Sequence, residues 1–254
     1  TILTLFDDPH PARYPNDFRF GELWNLHNPD AGAGRPGGDI RAPLAWALTT
    51  GDAAIRVAVI DTGIDFYHPD LEANVWTNPG EIPGNGLDDD GNGYADDVHG
   101  YDFVSDDSDP MDDQIHGTHV AGTIGAVGNN EIGVAGVCWQ TSLMAIKAFN
   151  ASGEGSLFDV IAGIRYAVVN RARIVNASWG QFENSKALAE AIAQAHAQGL
   201  VIVAAAGNTR SDALSYPAAY PESVTVAALD PRDERSIFSS YGPHVDLSAP
   251  GENI

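Results

Sequence analysis

The stretch Gln114-Ile115-His116-Gly117-Thr118-His119-Val120-Ala121-Gly122-Thr123-Ile124-Gly125 places one imidazole, His116, at the head of a run built almost wholly of Gly, Ala, Thr and small aliphatic residues. A surface helix carries charges opposite a wide apolar stripe, and this run has neither. It is therefore expected to pass through the middle of the fold, where small side chains let backbones approach closely. Asp112 and Asp113 stand just upstream as candidate helix caps. A histidine in a first helical turn feels the positive end of the helix dipole, so His116 is expected to stay neutral near pH 7 and to serve as a base. Two bland readings compete: a structural buried histidine, or half a zinc site made by His116 and His119. The zinc reading needs further ligands, and the one cysteine, Cys138, has no cysteine partner.

Upstream, Arg56-Val57-Ala58-Val59-Ile60 is a short β-branched run closed by Asp61-Thr62-Gly63. In an open parallel sheet, chemistry gathers at the carboxyl ends of strands, so an Asp closing a buried strand is placed to orient something. Downstream, strands are expected over residues 143–149, 174–176, 200–205 and 224–228. Between them, one helix starts at the N-cap Ser156 and carries Leu157, Val160, Ile161, Ile164 and Val168 on one face, and another covers residues 185–198 and stops at Gly199. That alternation implies α/β architecture: a doubly wound parallel sheet with helices on both faces and right-handed crossovers. Residues 1–50, rich in Pro, Gly and Asn, read as an N-terminal arm packed on the domain through its Trp residues, with a short helix near residues 41–49. Residues 51–254 read as one domain.

Thirteen Lys plus Arg face 35 Asp plus Glu, a formal net charge of −22 in 254 residues. Such an excess argues against nucleic acid or an anionic membrane as partner, and suits calcium binding or a salt-adapted surface. A single cysteine precludes an internal disulfide, and no run of 18 apolar residues spans a membrane. The first six residues lack the basic start and cleavage site of a signal peptide, so the chain is expected to begin inside a longer precursor or to have no signal. Acidity peaks in Asp88-Asp89-Asp90-Gly91-Asn92-Gly93-Tyr94-Ala95-Asp96-Asp97. Oxygens at alternate positions followed by glycine make the first half of an EF-hand-like calcium loop. Asp88, Asp90 and Asn92 would supply side chains, Tyr94 a carbonyl and Asp97 the closing carboxylate, although the EF-hand proper closes with Glu at its twelfth position. A solvated acidic loop is the alternative, but carboxylates packed this tightly repel without a cation.

Taken together, the His116 stretch, Asp61-Thr62-Gly63-Ile64-Asp65 with His68-Pro69-Asp70-Leu71, and Ala204-Ala205-Ala206-Gly207-Asn208 resemble, in the same order, three active-site motifs of the subtilisin family of serine proteases. The resemblance covers nearly the whole chain. It implies an endopeptidase acting through an acyl-enzyme, with His116 as general base and then acid, Asp61 orienting it, and Asn208 donating to the oxyanion. It implies that Gly153-Glu154-Gly155 and Ser178-Trp179-Gly180 flank an extended peptide substrate, with Trp179 bulkier than the aliphatic residue common there. It implies a second calcium site with Asp70 and Asn130 as side-chain ligands, in a loop one residue longer than the usual pattern. Tyr216-Pro217 matches a segment whose proline is usually cis. Extracellular location, protein or peptide substrates, and the propeptide or a C-terminal segment as partners follow from the same likeness.

The family's nucleophile stands in a Gly-Thr-Ser-Met-Ala segment, which this sequence does not contain; by the match it would lie roughly 15–20 residues past Ile254. Three accounts stay open: a fragment or cut chain, a complementary segment supplied as a separate peptide, or a calcium-dependent peptide-binding module without turnover. The 254 residues alone are expected to show little or no peptidase activity.

Overall fold

Strand residues point alternately to opposite faces, and here the two faces can be followed into two separate cores. The computed structural model describes residues 11–29 and 34–254. In β1 (Gly51–Asp61), Val57 and Val59 join one core, and Ala58 and Ile60 join the other. In β3 (Gln140–Lys147), Leu143 and Ala145 take the first side, Met144 and Ile146 the second. A strand apolar on both faces has to be covered on both. The first face is covered by α2 (His116–Gly125), whose Ala121 packs among Val57, Val59, Ile64 and Leu143. The second is covered by α3 (Leu157–Val169) and α4 (Lys186–Ala197), which bring Val160, Ile164, Leu188 and Ile192 onto Ile60 and Ile146.

Seven parallel strands form the sheet. With β2 (Gly100–Asp102), β4 (Ile174–Ala177), β5 (Val201–Ala205), β6 (Ser223–Leu229) and β7 (Leu247–Pro250), the order is β2-β3-β1-β4-β5-β6-β7. The doubly wound parallel architecture is as expected. β1 lies between β3 and β4, which α2 and α3 approach from opposite faces, so β1 opens onto the crevice where such sheets hold their ligands. The helix starts behave as read: the hydroxyls of Ser156 and Ser185 accept from Asp159 N at 3.1 Å and Leu188 N at 3.3 Å. Gly199, at φ +91°, closes the end of α4 in the left-handed region where glycine is strain-free. Tyr216-Pro217 is cis.

Three sequence expectations change. β1 begins at Gly51 rather than at residue 56, with an irregular register between Gly51 and Arg56. The short strands β2 and β7 were absent from the apolar pattern; they are the two edges of the sheet. The His116 helix does not run through the middle of the fold. Gly117, Ala121 and Gly125, four residues apart, form its buried stripe, while His116 and His119 are exposed and Thr118, Gly122 and Thr123 half-buried. Small residues are needed along that stripe alone: a methyl on Gly117 would strike the Gly63 carbonyl, and one on Gly125 the Thr141 side chain.

Of the expected arm, residues 1–10 and 30–33 lie outside the described residues. The described part packs Leu26, Ala42 and Trp46 against Ala135 and Trp139, and its short helix, α1, spans Ala42–Trp46. Arg35 pairs with Asp233 at 2.7 Å, and the Trp24 indole donates to the carbonyls of Glu252 and Asn253.

Candidate active site

Asp61 is the last residue of β1 and His116 the first of α2, so a strand end and a helix start set the distance between carboxylate and imidazole. Asp61 Oδ1 lies 2.7 Å from His116 Nδ1. The same oxygen accepts the Thr62 amide at 2.8 Å. Asp61 is 2% exposed, whereas half of the His116 side chain faces solvent. With Nδ1 committed to the carboxylate, Nε2 is the ring nitrogen left for chemistry.

Protonation of His116 departs from expectation. The hydrogen bond to Asp61 raises the imidazole above its ordinary value, against an opposing effect of burial, and the Asp61 and Asp112 charges add to the rise. The helix dipole, which argued for a lowered value, is outweighed by a carboxylate in direct contact. Capping also divides between the two aspartates. Asp112 accepts from Gln114 N, Ile115 N and Thr118 N at 2.8–2.9 Å and from the Thr118 hydroxyl at 2.6 Å. Burial opposes its ionisation, yet these bonds and one from Thr62 prevail and hold its carboxyl below the usual range. Asp113 caps nothing; it pairs at 2.6 Å with Lys147, which ends β3.

The remaining candidates follow strands on either side of β1. Gly153, Glu154 and Gly155 lie in the exposed loop after β3, closed by Asn150 N to Glu154 O at 2.9 Å, and Gly153 approaches the Gln114 side chain. Ser178, Trp179 and Gly180 follow β4. Trp179 stacks at a tilt on Phe149, ring centroids 5.9 Å apart, and packs on Ala177, Ala204 and Ala218. The Ser178 hydroxyl donates to Asn176. Asn208 lies three residues beyond β5, exposed, at the same carboxyl edge of the sheet as Asp61. Among the described residues, no serine hydroxyl hydrogen-bonds to the His116 ring.

The acidic loop folds around its own side chains. Asp88 accepts from the amides of Gly91, Asn92 and Gly93, and Asp90 from Asn92 N and the Asn78 amide. Asn92 Oδ1 accepts from Tyr94 N. Asp97 is fully buried and takes bonds from Asn78, Asn92 and the Tyr166 phenol, so it anchors the loop to the core instead of closing the ring of Asp88 and Asp90. Tyr94 sets its ring against Tyr101, Phe103 and Tyr166. Glu81, which sequence reasoning missed, brings a carboxylate oxygen to those of Asp88 and Asp90, all within 4.8 Å of one another. Three hard anionic oxygens in one place fit a calcium ion's preference.

At the second expected site, Asn130 Nδ2 donates to Asp70 Oδ1 at 2.8 Å and Val134 N to Asp70 Oδ2 at 2.9 Å. Asp17, from the arm, accepts the Asn129 amide at 2.6 Å. Burial pushes its carboxyl up, with the nearby Asp70 charge adding to the effect. Nothing near Asp17 in sequence marks it; only packing of the arm brings it beside Asp70.

A strand-end aspartate is thus joined to a helix-start histidine, with an exposed Asn at the same carboxyl side of the sheet. The sequence profile of the subtilase family matches residues 52–254. The chain belongs to the subtilase family. This subtilase is similar to a thermophilic serine proteinase of Bacillus sp. (strain AK1), 39% identical over 210 residues, covering 83% of this chain and 47% of that protein. It is also similar to thermitase of Thermoactinomyces vulgaris, 38% identical over 215 residues, covering 85% of this chain and 69% of thermitase. Among solved structures, a protease of Pseudoalteromonas arctica superposes with a TM-score of 0.75 at 30% identity, over 93% of this chain and 72% of that one. The subtilase thus spans about half the length of the first relative and just over two thirds of the second.

Proposed function

We propose that the protein to which this chain belongs is a serine endopeptidase that cleaves peptide bonds through an acyl-enzyme, with the serine supplied from outside these 254 residues. The observation that carries the reading is the 2.7 Å contact of His116 Nδ1 with the buried Asp61 at the mouth of β1, in a chain of the subtilase family. His116 Nε2 would take the serine proton during attack and return it to the leaving amine. Asp61 holds the ring in the tautomer that leaves Nε2 free and stabilises the imidazolium as it forms. Asn208 would donate to the oxyanion. Residues 153–155 and 178–180, leaving the sheet on the two sides of β1, would receive the substrate as an extended strand.

Calcium is the proposed ion. Glu81, Asp88, Asp90 and Asn92 would hold it in the acidic loop, and Asp70, Asn130 and Asp17 beside the arm; bound there, it would offset the repulsion among clustered carboxylates. Residues 1–50 would act as an arm strapped over a catalytic domain that starts at residue 51. Peptide or protein substrates fit the likeness to the named proteinases, and an extracellular site of action is proposed with them. No described helix is long and apolar enough to cross a membrane.

The decisive experiment expresses the reading frame continued beyond Ile254 and exposes the product to a serine-directed fluorophosphonate. The expected outcome is one labelled serine downstream of residue 254, with labelling lost in His116→Ala. A product that binds peptide but carries no reactive serine would leave only the module without turnover.

A further inference from the structure

Thr62 sits between the two halves of the candidate dyad, and each of its polar atoms is engaged. It is 3% exposed. Its amide donates to Asp61 Oδ1 at 2.8 Å. Its hydroxyl donates to Asp112 Oδ1 at 2.8 Å and accepts the Gly117 amide at 3.0 Å. Its carbonyl accepts from Lys147 Nζ at 2.7 Å, and the same ammonium reaches Asp113 at 2.6 Å and the Phe149 carbonyl at 3.1 Å. Asp112 in turn grips Thr118 through both amide and hydroxyl, and the Thr118 hydroxyl accepts the Asp65 amide.

The Gly117 amide is one of the first-turn donors of a helix, which have no partner inside it. A hydroxyl from the neighbouring turn supplies that partner. We propose that Thr62 is a positioning residue that fixes the Asp61 carboxylate and the first turn of α2 relative to each other, so that His116 Nδ1 meets Asp61 Oδ1. Lys147 and Asp112 brace it from the two sides. The side-chain hydroxyl carries the role: the backbone contacts to Asp61 and Lys147 survive substitution, whereas those to Gly117 and Asp112 do not. The inference concerns the geometry of the dyad and rests on the proposed function only for its catalytic meaning.

The test reads the dyad directly, by NMR titration of His116 in this chain for the unmodified protein, Thr62→Val and Thr62→Ser. Valine keeps the shape and removes the hydroxyl; serine restores it. The ionisable groups around the ring, Asp61, Asp112 and Lys147 beyond it, remain in all three. Loosening the contact should lower the His116 midpoint in Thr62→Val by roughly one pH unit and broaden the Nδ1 proton, with Thr62→Ser returning both. A melting temperature lowered in Thr62→Val with the His116 midpoint unchanged would overturn the proposal, since a purely structural hydroxyl does that. Should Thr62→Val not fold, exchange of the Gly117 amide in the unmodified chain decides: strong protection supports the proposal, and exchange as fast as an unpartnered amide sinks it. Neither readout depends on turnover, so failure here leaves the fluorophosphonate experiment untouched.

Discussion

At Asp61 a single carboxylate oxygen takes both the Thr62 amide and the His116 ring, while the other oxygen is buried without a protein partner. The hydrogen bond to the first oxygen favours the protonated ring and, against an opposing effect of burial, holds the His116 imidazole above its ordinary value. The sign follows from that rise. A folded-state value above the unfolded one, near 6.5, gives stability that is complete below about pH 6.5 and is lost as pH rises through the folded value. Replacing Asp61 with Asn removes the charge and leaves the tautomer unset. The expected outcome is a His116 midpoint displaced to lower pH in an NMR titration, and a smaller decline in stability as pH rises above about 6.5 than in the unmodified chain. At this scale the sequence was informative. Asp61, His116 and Asn208 were identified from motif order, and Asp61 and His116 meet. Thr62 and Lys147 were visible as letters only; their partners lie 50 and 34 residues away.

Elements explain why small residues crowd one helix. α2 crosses the turn after β1 so closely that Gly117 faces the Gly63 carbonyl, Ala121 the core, and Gly125 the Thr141 side chain. Gly63 itself holds φ +108° against the Pro110 carbonyl, a conformation that admits glycine without strain. Gly117→Ala is expected to push the helix off β1 and to destabilise by about 1–3 kcal/mol, as overpacking does; a lowered denaturation midpoint with unchanged slope would check it. The run's composition suggested a segment buried all round, because it carries no charge. Tertiary structure buries one stripe of it, and the open side faces a cavity of about 560 Å³ lined in part by Thr118, His119, Gly122, Asn253 and Ile254. Strands were legible where both faces are covered, since a β-branched run has one explanation there. The edge strands β2 and β7 were not, because edge pairing uses backbone groups that every residue possesses.

Over the whole molecule, 22 more negative than positive charges raise the cost of compactness, and their distribution matters more than their number. Glu81, Asp88 and Asp90 converge, as do Asp17 and Asp70. The acidic loop is tied to the core by the hydrogen bond of the Tyr166 phenol to Asp97, and Tyr166 belongs to the core around α3. On the proposed calcium reading, treatment with EGTA is expected to lower the melting temperature by several degrees, and added sodium chloride should recover part of the loss by screening. An unchanged midpoint in a dialysed, EGTA-treated sample would remove both sites.

The sequence by itself determined the layered α/β plan, the Asp61-His116-Asn208 order, the caps at Ser156 and Ser185 and the acidic loop. Each of these is written in local periodicity or in contiguous motifs. Tertiary structure alone decided which face of α2 is buried, that a carboxylate in direct contact holds the His116 imidazole above its ordinary value, and that Thr62 and Lys147 lie beside the dyad, Glu81 beside Asp88 and Asp90, and Asp17 beside Asp70. Those outcomes depend on contacts between residues far apart in the chain, and a hydrogen bond or a carboxylate pair forms only once the backbone has brought its members within reach.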